Sequence, residues 1–318
     1  MRWGILGPGR ISRSFLTGLA GSSTEQAVAI GSRDRGRAEA VAAEFGVSRS
    51  YGSYEHLLAD DTVQAVYIAT PNGLHAPWSI AAAEAGKHVL CEKPLGVSAA
   101  EAESMVAAAR KHGVWLMEAF MYRFHPRTLR LAELVAAGDI GAPTLLRASF
   151  GFTVTDAANV RLSAGLAGGA LRDVGCYPVN AARMLAGPVR GVRAMARWQD
   201  VDTTLAGLLD HASGALGLVS CSLVSGRHNV LQVVGTDGVI DVPAAFTPPK
   251  DTAARLLVTR GTGTEELLFE PVDQYTAEAD GFAALVAAGP GAHLPQMPPV
   301  ESLDNAATID ALLAAARS

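Results

Sequence analysis

Cysteine is nearly absent from the chain. Three residues in 318, Cys91, Cys176 and Cys221, stand far apart, and so small and scattered a set builds neither a disulfide framework nor a thiolate metal site. A reduced, cytoplasmic protein without a metal is therefore expected. Long hydrophobic runs are missing as well: none reaches the roughly 18 residues of a bilayer-spanning helix. The N-terminus enters a strand pattern at once, where a targeting leader would need a different composition. Charge of one sign is also lacking. Lys and Arg number 26 against 31 Asp and Glu, leaving a net charge of -5 and no general attraction for nucleic acid or an anionic membrane. Internal repeats and low-complexity linkers are absent. What is present is 49% hydrophobic and 18% charged, an ordinary globular composition, at a length that implies two domains of roughly 100 to 200 residues each.

The first signal is the run Trp3-Gly4-Ile5-Leu6-Gly7-Pro8-Gly9-Arg10-Ile11-Ser12. An apolar strand enters Gly-x-Gly-x-x-Ser and a helical pattern follows. Gly7 permits the tight turn, Gly9 lets a pyrophosphate approach the backbone, and the small Ser12 keeps helix and strand close. The free amides around Arg10 and Ile11 then face the phosphates. The pattern predicts dinucleotide binding.

The second strand ends in Ser32-Arg33-Asp34-Arg35-Gly36-Arg37. Sites for NAD usually carry an acid here, on the ribose 2'-hydroxyl. A hydroxyl and guanidinium groups suit a 2'-phosphate instead, because a planar guanidinium grips phosphate oxygens in two places. Ser32, Arg33 and Arg37 therefore favour NADP(H) over NAD(H). The alternatives are that the arginines are a solvated helix start with Asp34 as its N-cap, or that Asp34 serves NAD.

Strand patterns at 2–6, 26–31, 63–69, 88–91 and 114–117 alternate with helical patterns at 38–45, 75–85 and 99–111. Such alternation specifies a doubly wound parallel sheet, with ligands beyond the carboxyl ends of its strands. Thr70-Pro71-Asn72-Gly73-Leu74-His75 and Glu92-Lys93-Pro94 lie at those ends. After residue 118 the pattern changes. A helix at 126–137 is followed by the stretch 143–155 and the Gly168 segment, and the short alternating runs from 189 to 269 read as an antiparallel sheet. Helical patterns at 274–288 and 301–317 flank a proline-rich stretch at 290–299. The fold class expected is α/β, with a Rossmann domain at 1–120 and a second domain at 121–318.

Gly168-Gly169-Ala170-Leu171-Arg172-Asp173-Val174-Gly175-Cys176-Tyr177 reads as a helix start that puts Asp173 and Tyr177 on one face, four residues apart. A phenol beside an acid can exchange a proton with a substrate hydroxyl if a neighbouring cation makes the phenolate accessible. Lys93 is such a cation. Alone, this spacing also describes any amphipathic face.

Together these motifs resemble the glucose-fructose oxidoreductase and inositol dehydrogenase family, over the whole chain and in the correct order. The run from Glu118 to Pro126 and the block from Asn159 to Tyr177 are similar to the branch of NADP-dependent D-xylose dehydrogenases and dihydrodiol dehydrogenases. The resemblance implies a sugar or cyclic polyol substrate and catalysis by Lys93 and Tyr177, with Asp173 orienting substrate or lysine. It also implies cofactor contacts from Thr70, Asn72, His75, Glu92 and Lys93, and substrate contacts from Arg123, Arg161, Asp173 and Tyr177. A homodimer or homotetramer through the open sheet is implied too. For Arg172, a position often apolar in these relatives, local ion pairing and substrate contact both stay open. So do structural roles for His75, Arg123, His125 and Arg161. His88, His112, His211, His228 and His293 show no pairing pattern and read as core or surface. Two other functions belong to this fold: a glycosidase that uses bound NAD to oxidise its sugar transiently, and a non-enzymatic sensor of nucleotide or sugar.

Overall fold

The computed structural model describes residues 1–289 and 297–318; most of the proline-rich stretch, with His293, lies outside them. Two compact units divide the chain. One comprises Met1–Met121 and Asp273–Leu303, the other Tyr122–Val272 and Asp304–Ser318. The division is discontinuous, whereas sequence pattern alone assigned everything beyond residue 120 to one domain.

The first unit is a six-stranded sheet of β1 (Arg2–Leu6), β2 (Gln26–Gly31), β3 (Arg49–Tyr51), β4 (Ala65–Ile68), β5 (His88–Glu92) and β6 (Leu116–Ala119), in the order β3-β2-β1-β4-β5-β6. Every pairing is parallel. Strand β4 is buried along its whole length, as expected where helices cover both faces. The helices are α1 (Arg10–Gly21), α2 (Arg35–Phe45), α3 (Tyr54–Leu58), α4 (His75–Glu84), α5 (Ala99–His112) and α8 (Gln274–Ala288). Their ends follow from local chemistry. Asp34 caps α2 by accepting from the Arg37 amide, and Gly46 closes that helix at φ 66°, a conformation that favours glycine. In α5, Ser98 accepts from the Glu101 amide while the Glu101 carboxylate accepts from Val97 N, a reciprocal cap. Strand β3 and helix α3 are too short for periodicity to reveal.

Apolar burial joins α1 and α8 to this sheet. Trp3 is fully buried between Phe15 and Phe282, with ring centroids 5.4 and 5.5 Å away, and Phe15 stacks on Tyr67 at 3.9 Å. The Trp3 indole donates to Glu25 at 2.7 Å, so its one polar atom is satisfied. A side chain at Gly18 would stand 2.6 Å from Tyr275 Cβ, which is why α8 can lie against α1.

The second unit holds an eight-stranded sheet in the order β14-β13-β12-β11-β7-β10-β9-β8. Its strands are β7 (Pro143–Thr153), β8 (Val189–Trp198), β9 (Asp202–His211), β10 (Leu216–Ser222), β11 (Val224–Gly235), β12 (Gly238–Pro243), β13 (Ala254–Arg260) and β14 (Gly263–Phe269). All pairs are antiparallel except β7 with β10, because β7 inserts between β11 and β10 far from its sequence neighbours. Helices α6 (Pro126–Ala136), α7 (Cys176–Ala186) and α9 (Pro299–Ala315) complete the fold. Arg127 is fully buried and donates to the carbonyls of Pro243, Ala244 and Ala245 at 2.7, 3.1 and 2.7 Å. It holds a turn that no periodicity marks. On the sheet, Met195, Leu208, Leu216, Leu218 and Val230 are exposed, Met195 to 73%. Among the described residues no helix is long and apolar enough to cross a membrane.

Candidate active site

The turn after β1 is built on two glycines with different duties. Gly7 has φ +89°, and a Cβ there would stand 2.9 Å from the Ala69 carbonyl oxygen; a Cβ on Gly9 would meet nothing within 4 Å. One glycine is required by the protein's own backbone, the other leaves space in front of the start of α1, where Arg10 and Ile11 follow. Ser12, read as an alanine substitute, does more: its buried hydroxyl donates to the Gly7 carbonyl at 2.5 Å and pins the turn to the helix. The free amides of that first turn and the helix dipole suit a pyrophosphate.

Ser32 is buried at the end of β2, its amide on the Tyr51 carbonyl and its hydroxyl accepting from Asp34 N at 3.1 Å. Asp34 is the N-cap of α2, so its carboxylate is engaged by the Arg37 amide at 3.1 Å. Arg35 pairs with Glu39. The exposed Arg33 and Arg37 belong to no ion pair among the described residues. Both lie beside the Tyr54 phenol, whose pKa burial raises while the two guanidinium charges oppose the rise. Two uncompensated guanidinium groups beyond β2 are what an adenosine 2'-phosphate needs.

At the carboxyl ends of β4 and β5, His75 brackets two loops. Its Nδ1 lies 2.8 Å from the Pro94 carbonyl and its Nε2 2.9 Å from the Thr70 carbonyl. Burial, the dominant cause, with help from the Lys93 charge, lowers its pKa to about 4 against the two carbonyl bonds. Read as a cofactor contact, His75 is buried with both ring nitrogens facing backbone carbonyls, and as a neutral imidazole with one N–H it donates to one of them. The Thr70 hydroxyl oxygen, in contrast, is buried with no hydrogen-bond partner, the mark of an atom that a bound group completes. Asn72 opens a single 3-10 turn, Asn72–Leu74. The Lys93–Pro94 bond is cis, and the turn beyond it is held by Glu118, which accepts from Leu95 N at 2.8 Å. Lys93 is half-buried, its amide on Glu92 Oε2 at 3.2 Å.

Sequence reasoning missed the acidic cluster behind Glu92. The fully buried Tyr67 phenol donates to Glu92 Oε1 at 2.5 Å. Glu278 of α8 is fully buried, and neither of its carboxyl oxygens has a hydrogen-bond partner. Burial and then the charge of Glu92 push its pKa well above 4.5, which favours the neutral acid. The signal was legible: Gln274, Glu278, Phe282 and Leu285 form the buried stripe of α8, and an acid in such a stripe is either paired or protonated.

The remaining site residues lie in the second unit. The reading of 168–177 as the start of an α-helix is corrected: Leu171–Gly175 is a π-helical turn that runs into α7. The wider turn accommodates Gly175 against β10, where an added Cβ would stand 2.7 Å from Cys221 Sγ. It carries Asp173, whose Oδ2 accepts from Arg161 Nε at 2.6 Å, a short charge-assisted bond. The Arg161 guanidinium also lies 5.8 Å over the Phe152 ring. Tyr177 is 4% exposed, with Tyr122, Phe150 and Phe246 at ring distances of 5.9, 5.5 and 5.7 Å. Three aromatic walls fix its ring. One turn on, Asn180 Oδ1 accepts from the Tyr122 hydroxyl at 2.6 Å and from Arg123 Nη1 at 3.3 Å. Arg123, read as a substrate contact, is buried as a prop beneath α7. His125 caps α6, its Nδ1 accepting from the Arg127 amide. The charge of Arg172 opposes the rise that burial gives the Asp202 pKa.

Residues 1–120 match the oxidoreductase family with an NAD-binding Rossmann fold, and residues 128–241 match the GFO/IDH/MocA C-terminal domain. The chain is 42% identical over 322 residues to D-xylose 1-dehydrogenase (NADP(+)) 2 of Haloferax volcanii, covering 100% of this chain and 98% of that protein. It is 40% identical over 254 residues to the trans-1,2-dihydrobenzene-1,2-diol dehydrogenase of Mus musculus, covering 78% and 76%. Among solved structures, a 3-ketoreductase from Actinomadura kijaniata in complex with NADP and TDP-benzene superimposes with a TM-score of 0.92 at 31% identity, over 99% of this chain and 97% of that one.

Glu278 generates a stability prediction. A carboxyl with a folded pKa above its unfolded one makes the native state bind more protons, so unfolding free energy falls as pH rises above the unfolded value. Denaturant unfolding from about pH 5 to about pH 8 should show this decline, at most about 1.4 kcal/mol per pH unit, and Glu278→Gln should flatten it. A Gln variant that declines as steeply as the parent would mean that Glu278 is ionised in the fold.

Proposed function

The chain belongs to the GFO/IDH/MocA family of NAD(P)-dependent oxidoreductases, and on that premise we propose that it is an NADP-dependent dehydrogenase or reductase of a sugar or related cyclic polyol. The observation that carries the cofactor choice is the pair of exposed guanidinium groups, Arg33 and Arg37, at the end of β2 with no carboxylate partner, beside an Asp34 already spent on its helix cap. The names of the relatives agree, since a D-xylose dehydrogenase, a dihydrodiol dehydrogenase and a 3-ketoreductase all interconvert a hydroxyl and a carbonyl. D-xylose or a similar aldose is the leading substrate and a dihydrodiol the next.

The residues suit such a reaction. Gly9, the first turn of α1 and the Thr70 hydroxyl would hold the pyrophosphate and the nicotinamide half of NADP. Bound NADP+ supplies a hydride acceptor. An alcohol that loses hydride from carbon must also lose the proton on its oxygen, and Tyr177 is the base assigned to it; in the reverse direction the phenol donates. Lys93 is assigned to favour the phenolate by its charge. Asp173, paired with Arg161, keeps an anchored carboxylate to accept from a neighbouring substrate hydroxyl. The glycosidase reading needs retained NAD, and Arg33 and Arg37 argue against it. A sensor needs neither Lys93 nor Tyr177. The exposed Met195, Leu208, Leu216, Leu218 and Val230 support homo-oligomer formation through the open sheet, as apolar patches on soluble proteins mark interfaces.

Nicotinamide absorbance with NADP+ or NAD+ and a panel of aldoses, cyclitols and dihydrodiols tests the function: turnover with NADP+ on D-xylose or a neighbour is expected, and glycoside cleavage without net NADPH would replace this reading by the glycosidase. The double substitution of Arg33 and Arg37 by Ala should raise KM for NADP+ by about 10- to 100-fold, the worth of two charge-assisted bonds weakened by solvent exposure, and leave KM for NAD+ nearly unchanged. Equal effects on both would remove the 2'-phosphate assignment. Tyr177→Phe should lower kcat by about 100- to 10,000-fold with cofactor affinity intact; full activity would exclude it as the proton carrier. Light scattering should find a dimer or tetramer that Leu218→Lys dissociates, and a monomeric parent protein would sink the interface.

A further inference from the structure

The turn that carries Asp173 begins without a cap of its own. A helix start leaves backbone amides that need acceptors, normally a side chain just before the first turn. Here the preceding residues are Gly168, Gly169 and Ala170, and no side chain at the N-cap Ala170 serves. The acceptor comes from 31 residues further on: Asp202 Oδ2, at the first residue of β9, accepts from Leu171 N at 2.7 Å. Gly169 has φ +117°, and a Cβ there would overlap Asp202 Oδ1, so the backbone is pressed against the carboxylate. Asp202 is 2% exposed. Burial pushes its pKa up to about 6, opposed by the Leu171 N–H bond and by the charges of Arg172 and Arg317. Arg317 is itself steadied over the Trp198 ring, 4.9 Å from its centroid.

The opposite side of the same turn is held by Arg161. Its carbonyl accepts from Gly169 N at 2.8 Å and its guanidinium binds Asp173. Asp202 is therefore the far jaw of a clamp whose near jaw is Arg161, and the clamped segment leads directly into Tyr177.

We propose that Asp202 is a positioning residue for the reaction: through Leu171 N it sets the start of the helix that aims Asp173 and Tyr177, touching neither substrate nor cofactor itself. The inference rests on the catalytic reading of Tyr177 given above. Freed from the clamp, the turn frays and the two reactive groups lose alignment, and misplacement by about 1 Å can cost about 100-fold in rate.

The test compares Asp202→Ala, Asp202→Asn and Tyr177→Phe in steady-state turnover of D-xylose with NADP+, together with amide hydrogen exchange of the peptide 169–177, which needs no turnover. Asp202→Ala should lower kcat by about 10- to 100-fold with KM for NADP+ within about twofold, and should speed exchange of that peptide at least about tenfold. Asp202→Asn keeps an acceptor for Leu171 N and should restore both within about threefold. Should Asp202→Ala not yield folded protein, Gly169→Ala, which drives a methyl into the carboxylate, should give the same loss. The inference is overturned if Asp202→Ala, or Gly169→Ala in its place, turns over as the parent does, or if Asn fares no better than Ala. Full activity of Tyr177→Phe would instead overturn the catalytic reading, whatever the Asp202 variants do.

Discussion

Buried backbone polar groups must find partners, and the site of this protein is organised around that constraint. At nearly every place where chemistry is assigned, a side chain from elsewhere satisfies a strand end, a turn or a helix start. Ser12 serves the Gly7 carbonyl, His75 one of the Thr70 and Pro94 carbonyls, Glu118 the Leu95 amide, and Arg127 three consecutive carbonyls. An unmet buried amide or carbonyl costs about 1 to 3 kcal/mol, a sizeable fraction of the about 5 to 15 kcal/mol by which a domain is stable. These side chains therefore define where the loops run, and the loops define where the reactive groups stand.

The same rule explains which charges are available for ligands. Asp34 is used by the α2 cap and Arg35 by Glu39, while Arg33 and Arg37 are left in solvent without a carboxylate. Which charges stand ready for an anion thus depends on which carboxylates the local structure has already engaged as much as on which residue types are present. Asp173 shows the opposite treatment. Its pairing with Arg161 fixes a carboxylate that would otherwise rotate, at the cost of part of its accepting capacity.

Electrostatics inside the first unit are less economical. Glu92 and Glu278 share a buried region with the Tyr67 phenol, and burial together with the Glu92 charge raises the Glu278 pKa and so disfavours a second anion there. A hydrophobic residue would pack there at lower desolvation cost. The arrangement tethers the residue that precedes Lys93, through Tyr67, to the middle of β4.

Much was legible in the linear sequence because it depends on neighbours a few residues apart. Strands β1 and β2, helix α8, the Gly7 and Gly9 turn, the arginines after β2 and the Asp173 to Tyr177 spacing all obey local periodicity or local conformational rules. What required the tertiary structure depends on residues far apart in the chain. The return of Asp273–Leu303 to the first unit, the insertion of β7 beside β10, the raised pKa of Glu278, the engagement of His75 and Arg123 by backbone and side chain, and the reach of Asp202 to Leu171 N are of this kind. Each is decided by packing that brings one particular donor to one particular acceptor, and periodicity carries no information about which pair will meet.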